Sequence, residues 1–70
     1  MSMSEKIKRI LAKRDITMKE LAELLNTTPL NLSNKFKRDN FQINELIAIA
    51  EAIDCDFVAG FRLKDTKEIV

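Results

Sequence analysis

Apolar side chains recur three and four residues apart in four stretches of this chain, and in a fifth stretch they alternate one by one. Ile7, Ile10 and Leu11 share a stripe that predicts a first helix over 5–14, with Ser2 or Ser4 to cap it. Leu21, Leu24 and Leu25 predict a second helix over 18–25, with all three turned inward and Ala22 at a close-contact position. Leu32 and Phe36, four apart, pin a third helix over 29–37 to the core. Ile43, Leu46, Ile47, Ile49, Ala50 and Ile53 are apolar almost all round, so the fourth helix, over 43–53, is expected to be the most buried. From Phe57 the period becomes two. Phe57, Ala59, Phe61 and Leu63 alternate with Val58, Gly60, Arg62 and Lys64, which predicts a strand over 56–64 with one apolar face. Residues 65–70 read as a frayed tail. The expected fold class is all-α: a compact bundle of four short helices, followed by one C-terminal β-strand, in a single domain spanning 1–70.

The breaks between helices carry their own chemistry. Thr17 can cap the second helix while Glu20 returns a bond to the cap's N–H, a capping box. Ile16 and Leu21 have the spacing of a hydrophobic staple across that start. Asn26 tolerates the left-handed conformation that ends many helices. Thr28 can cap the third helix, and Pro29 fits its first position, where a missing N–H costs nothing. Asp39-Asn40 signals a turn. Gln42 is a poor cap, but Glu45 follows at the box spacing and Phe41 can staple to Leu46. Helices two and three, joined by the four-residue break Asn26-Thr27-Thr28-Pro29, read as a helix-turn-helix, whose commonest use is to set its second helix in the DNA major groove.

A lone strand leaves its backbone N–H and C=O groups without a ladder. One solution is the same strand of a second copy, antiparallel across a two-fold axis, with Phe57, Ala59, Phe61 and Leu63 at the dimer interface. The other is that residues 56–64 simply run over the monomer surface and cover the bundle.

Composition narrows the class. Seventy residues, 46% hydrophobic and 33% charged, suit one small helical domain and exclude disorder. Net charge is +1, but residues 1–38 carry +5 and residues 39–70 carry −4. Such an asymmetry can orient a protein on a phosphate surface. No apolar run reaches the roughly 18 residues of a membrane span, and the N-terminus lacks the apolar core of a signal peptide, so a cytoplasmic location without membrane contact is expected.

Catalytic chemistry is thinly represented. There is no histidine, no glycine-rich phosphate loop, and a single cysteine, Cys55, between Asp54 and Asp56, whose charge opposes a thiolate. One cysteine without histidine does not make a zinc site by the usual spacing. No catalytic residue, metal, cofactor or small-molecule substrate is expected.

With Leu32 and Phe36 inward, the opposite face of the third helix presents groups that suit double-stranded DNA. Pro29 and Leu30 can make apolar contact with a base edge, Asn34 matches the donor–acceptor pair of adenine, and Ser33 can bond several bases. Lys35, Lys37 and Arg38 suit phosphates, as do Thr17, Thr28 and Asn31 near the helix starts.

Taken together, Ile16-Thr17, Leu21-Ala22, Leu25, Thr28, Leu32-Ser33, Leu46, Ile49-Ala50 and Ile53 give the stretch from Ile7 to about Cys55 a pattern that resembles the XRE family of helix-turn-helix proteins, the Cro/C1-type repressor-like domains. That resemblance implies a bundle of four or five helices, a third helix that reads the major groove, and dimers on palindromic operators. It places base reading at Pro29, Leu30 and Asn34, with Asn31 and Ser33 as neighbours. Met18 stands where that family often has glutamine. The expected function is a sequence-specific DNA-binding transcriptional regulator, a small homodimeric repressor acting by occupancy. The alternative is a protein-interaction module of the same fold, antitoxin-like or anti-repressor.

Overall fold

A computed structural model describes residues 2–70. Four helices follow one another: α1 (Met3–Arg14), α2 (Met18–Leu24), α3 (Pro29–Arg38) and α4 (Ile43–Ala52). The chain is all-α. Ser2 caps α1, its Oγ accepting from the Glu5 amide at 3.1 Å. Thr17 and Glu20 form both halves of the capping box on α2, at 3.1 and 3.0 Å. Thr28 Oγ1 accepts from the Asn31 amide at 3.1 Å, with Pro29 at the first turn of α3. At α4 only half of the box forms: Glu45 Oε1 accepts from the Gln42 amide at 2.8 Å.

Each helix stops on an Asp or Asn in the left-handed region rather than on glycine. Asp15, Asn26, Asp39 and Asp54 have φ of 57°, 58°, 51° and 59°. After α1, α2 and α4 the next amide reaches back five residues, as in Ile16 to Leu11, Thr27 to Ala22 and Cys55 to Ala50, at 2.8–2.9 Å. These bonds satisfy carbonyls that the helix itself leaves open. Short polar side chains tolerate this backbone conformation better than other L-residues do.

Ile7, Leu11, Leu21, Ala22, Leu32, Phe36, Leu46, Ile49 and Ile53 form one buried core, with Leu21 and Ala22 fully enclosed. Helix α2 sits in the middle and packs on α3 and α4. Phe41, two residues before α4, meets Phe36 edge-on, ring centroids 5.4 Å apart. Ser4, buried near the start of α1, ties that end to the end of α3. Its amide donates to Asp39 Oδ1 at 2.8 Å, and its hydroxyl shares a proton between the Phe36 carbonyl at 2.6 Å and Asp39 Oδ1 at 2.9 Å.

Three sequence expectations need correction. Leu24 is exposed rather than inward, because α2 is only seven residues long and its core face is already filled by Leu21, Ala22 and Leu25. Helix α4 is not buried all round: Ile43 and Ile47 stay exposed, since the bundle covers only the side holding Leu46, Ile49 and Ile53.

The third concerns the strand expected over 56–64, with Phe57, Ala59, Phe61 and Leu63 along one face. No strand forms among the described residues. A single antiparallel bridge joins Arg62 to Ile69, flanked by Phe61–Val70 bonds in both directions at 3.1 and 2.8 Å and by Glu68 accepting from the Leu63 amide at 2.8 Å. The chain reverses at 63–67, where Lys67 adopts φ 64° and its amide reaches the Leu63 carbonyl. The expected tail therefore supplies the partner. A ladder within one chain closes a short loop and costs far less entropy than one between molecules. Phe57 packs on the core, while Ala59, Phe61 and Leu63 lie beyond it on the exposed arm.

Candidate nucleic-acid interface

The outer face of α3 is assembled from sequence-local causes. Thr28 and Pro29 start the helix, and Asp39 stops it, its amide bonding the Lys35 carbonyl at 3.0 Å. Leu32 and Phe36 hold one side in the core, 5% exposed each. The helical repeat then turns Pro29, Leu30, Asn34, Lys37 and Arg38 to solvent, and all five are exposed. Leu30 is 69% exposed, a large apolar side chain left open at the entering end of the helix. Ser33 is half-buried at the edge of this face. Asn31 is exposed on the side facing α4.

Lys35 sits differently from Lys37 and Arg38. Its Nζ pairs with Glu45 Oε2 at 2.6 Å, across the cleft between α3 and α4. Glu45 thus receives Lys35 on one oxygen and the Gln42 amide on the other. The Lys35 ammonium first, and then the Gln42 N–H, hold its carboxyl below the usual carboxylate range. This is the only ion pair among the described residues. The other Lys and Arg side chains of residues 2–38 form no ion pair among the described residues, and Lys37 and Arg38 stand at the C-terminal end of α3.

Thr17 and Thr28 are exposed, and their hydroxyl oxygens are occupied as helix caps. A hydroxyl that accepts a cap bond still has its own proton to donate, so capping leaves both able to reach an anion. The α3–α4 cleft, about 270 Å³, is lined by Leu25, Leu32, Phe41 and Ile49 beneath the Lys35–Glu45 pair. At the far end of the bundle Arg14 donates to the Asp54 carbonyl at 3.0 Å and lies 3.8 Å from Cys55 Sγ. Cys55 thus has a cation beside it as well as its two acidic neighbours.

The structure brings Pro29, Leu30, Ser33, Asn34, Lys37 and Arg38 onto one helix, with Thr28 at its start. Lys35 is turned to α4, and Thr17 lies on the preceding helix. Sequence reasoning did not find the Ser4–Asp39 link, which fixes the end of α3 carrying Lys37 and Arg38. Nothing in the spacing of Ser4 and Asp39, 35 residues apart, signals their meeting. It did not find the Lys35–Glu45 pair either, for the same reason of distance along the chain. No helix among the described residues is long and apolar enough to cross a membrane.

No curated protein and no solved structure matches the chain. A family model does, over residues 2–58, which takes in all four helices, their caps and the α3 face but not the arm beyond. The chain accordingly belongs to the family described as a domain of unknown function, DUF6471.

Proposed function

We propose that the chain is a sequence-specific DNA-binding regulator of the helix-turn-helix kind, working as a homodimer, in which α3 enters the major groove. The observation that carries this reading is the exposed face of α3. Leu30, Asn34, Lys37 and Arg38 share it, no acidic side chain lies among them, and the helix is anchored from behind by Leu32 and Phe36. Asn34 offers bidentate recognition of adenine, and Leu30 offers a contact for a thymine methyl. Lys37 and Arg38 supply backbone attraction without sequence content. Two copies reading successive major grooves would hold their α3 helices about 34 Å apart. The resemblance to XRE-type repressors adds occupancy of an operator as the mode of regulation.

Selection from a random duplex pool tests the reading. We expect enrichment of a two-fold symmetric site, with log affinity against log salt falling at a slope of about −5 for roughly six phosphates. The variant Asn34→Ala/Lys37→Ala/Arg38→Ala should lose the selected site while keeping its helical circular dichroism, because none of the three side chains is buried or bonded within the chain. Failure of any sequence to enrich, or unchanged binding by that variant, refutes it.

A second reading is favoured by Leu24, Ile43, Ile47 and Phe61, large apolar side chains that the chain leaves uncovered. A protein-interaction module would use them. In that case the α3 variant leaves partner binding intact and Phe61→Asp abolishes it.

A further inference from the structure

The Lys35–Glu45 pair stands on the walls of a cavity. The cleft between α3 and α4 holds about 270 Å³, just under the roughly 300–1,000 Å³ of pockets for drug-sized ligands, so it suits a smaller molecule. Leu25, Leu32, Phe41 and Ile49 line it with apolar surface. Leu32 and Ile49 are buried, whereas Leu25 and Phe41 are half-buried. The side chains of Lys35 and Glu45 are 38% and 32% exposed, open to a ligand, and they are the only charged groups lining the cleft. Asn31 precedes Lys35 by one turn of α3 and adds a neutral amide to the same wall.

These charges select the ligand. Lys35 Nζ lies 2.6 Å from Glu45 Oε2, so the cleft carries one cation and one anion side by side and no net charge. A ligand with a carboxylate alone is drawn to Lys35 and repelled by Glu45, and one with an ammonium alone meets the reverse. Taking a charge out of water is costly unless it is paired. A zwitterion whose two charged groups hang from one carbon sets each against its opposite. It does so without breaking the pair. Lys35 has three N–H donors, of which Glu45 takes one, and each Glu45 oxygen keeps a lone pair beyond its bond to Lys35 or to the Gln42 amide.

We propose that the α3–α4 cleft binds a free α-amino acid with an apolar side chain. Its carboxylate accepts from the Lys35 ammonium and the Asn31 amide, its ammonium donates to Glu45, and its side chain lies on Leu25, Phe41 and Ile49. Asn31 and Lys35 belong to the helix proposed to enter DNA, so an occupied cleft withholds both from phosphates. That consequence rests on the α3 reading. The binding itself does not, and it is tested without DNA, so the two fail separately.

Leucine, methionine and phenylalanine are the probes, titrated into the 15N-labelled full chain. At least one should shift the amide resonances of Leu25, Asn31 and Glu45 saturably, and glycine, which has no apolar side chain, should not. Removing either charge from the amino acid that binds, as 4-methylpentanoate and 3-methylbutylamine do for leucine, should weaken binding about tenfold, the scale of one charge-assisted hydrogen bond. Glu45→Gln keeps the side-chain length and an acceptor for the Gln42 amide, so helical circular dichroism should be unchanged. It should abolish the preference for the amino acid over its carboxylate-only analogue. No saturable shift with any of the three, saturable shifts confined to another surface, single-charge analogues bound as tightly, or an undiminished preference in Glu45→Gln would each overturn the proposal.

Discussion

Replacing Ser4 by alanine removes one oxygen from the interior and should destabilise the domain out of proportion to its size. Ser4 joins two helix ends that each leave backbone groups open. Its amide is an unpaired donor of the first turn of α1 and is satisfied by the Asp39 carboxylate, a placement that the positive end of the helix also favours. Its hydroxyl satisfies the Phe36 carbonyl in the last turn of α3. Alanine keeps the amide bond but strands the Phe36 carbonyl in a place that is closed to water. An unsatisfied buried acceptor costs about 1–3 kcal/mol. Alanine's better helix propensity returns roughly 0.5 kcal/mol, leaving a net loss of about 0.5–2.5 kcal/mol. For a domain this small each kcal/mol lowers Tm by about 4–8 °C, so a drop of roughly 2–20 °C is expected. Thermal unfolding followed at 222 nm measures it. A double-mutant cycle with Asp39→Ala should show coupling of about 1 kcal/mol, because the two side chains share one network. An unchanged Tm for Ser4→Ala, or strict additivity with Asp39→Ala, would refute the reasoning.

Other outcomes follow from the same geometry. Asn26 has φ 58°, so Asn26→Val should cost about 1–2 kcal/mol in urea unfolding, while Asn26→Gly stays close to neutral. Thr28→Ala removes the cap on α3 and should cost about 1 kcal/mol by the same assay. Glu45 is held below the usual carboxylate range by Lys35 and the Gln42 amide, so its pairing stabilises the fold at neutral pH. That contribution begins to fade as pH falls below the unfolded carboxyl's value and is gone once pH passes the lowered folded one. Glu45→Gln should therefore flatten the acid side of the stability–pH curve between those two values, and an identical acid limb in both proteins would count against the pairing. In the DNA assay, Arg38→Ala removes one phosphate contact from each copy of the dimer and should reduce the salt slope by about 2, leaving the preferred sequence unchanged.

Much of the bundle was legible along the chain because its causes are local. Helix periodicity, the Thr17–Glu20 box, the Thr28–Pro29 start and the left-handed Asn26 each depend on residues no more than four apart, and each is present at the expected position. The exposure of Asn34 and Lys37 follows from the same periodicity once Leu32 and Phe36 face inward.

Three-dimensional packing decided the rest. Ser4 meets Asp39 across 35 residues, and Lys35 is drawn to Glu45 rather than left free beside Lys37. How much of α4 is covered depends on how many helices are available to cover it, which hydrophobicity alone cannot say, and so Ile43 and Ile47 remain open. The alternation at 57–63 predicted a strand that does not form, and it could not identify a backbone partner for that segment, because period two says nothing about which segment pairs. The turn at Lys67 brought residues 68–70 back to supply one from within the chain. Short-range sterics and hydrogen bonding thus fixed the helices and their ends, whereas competition among distant surfaces for a limited interior fixed which polar groups pair and which apolar faces are left uncovered.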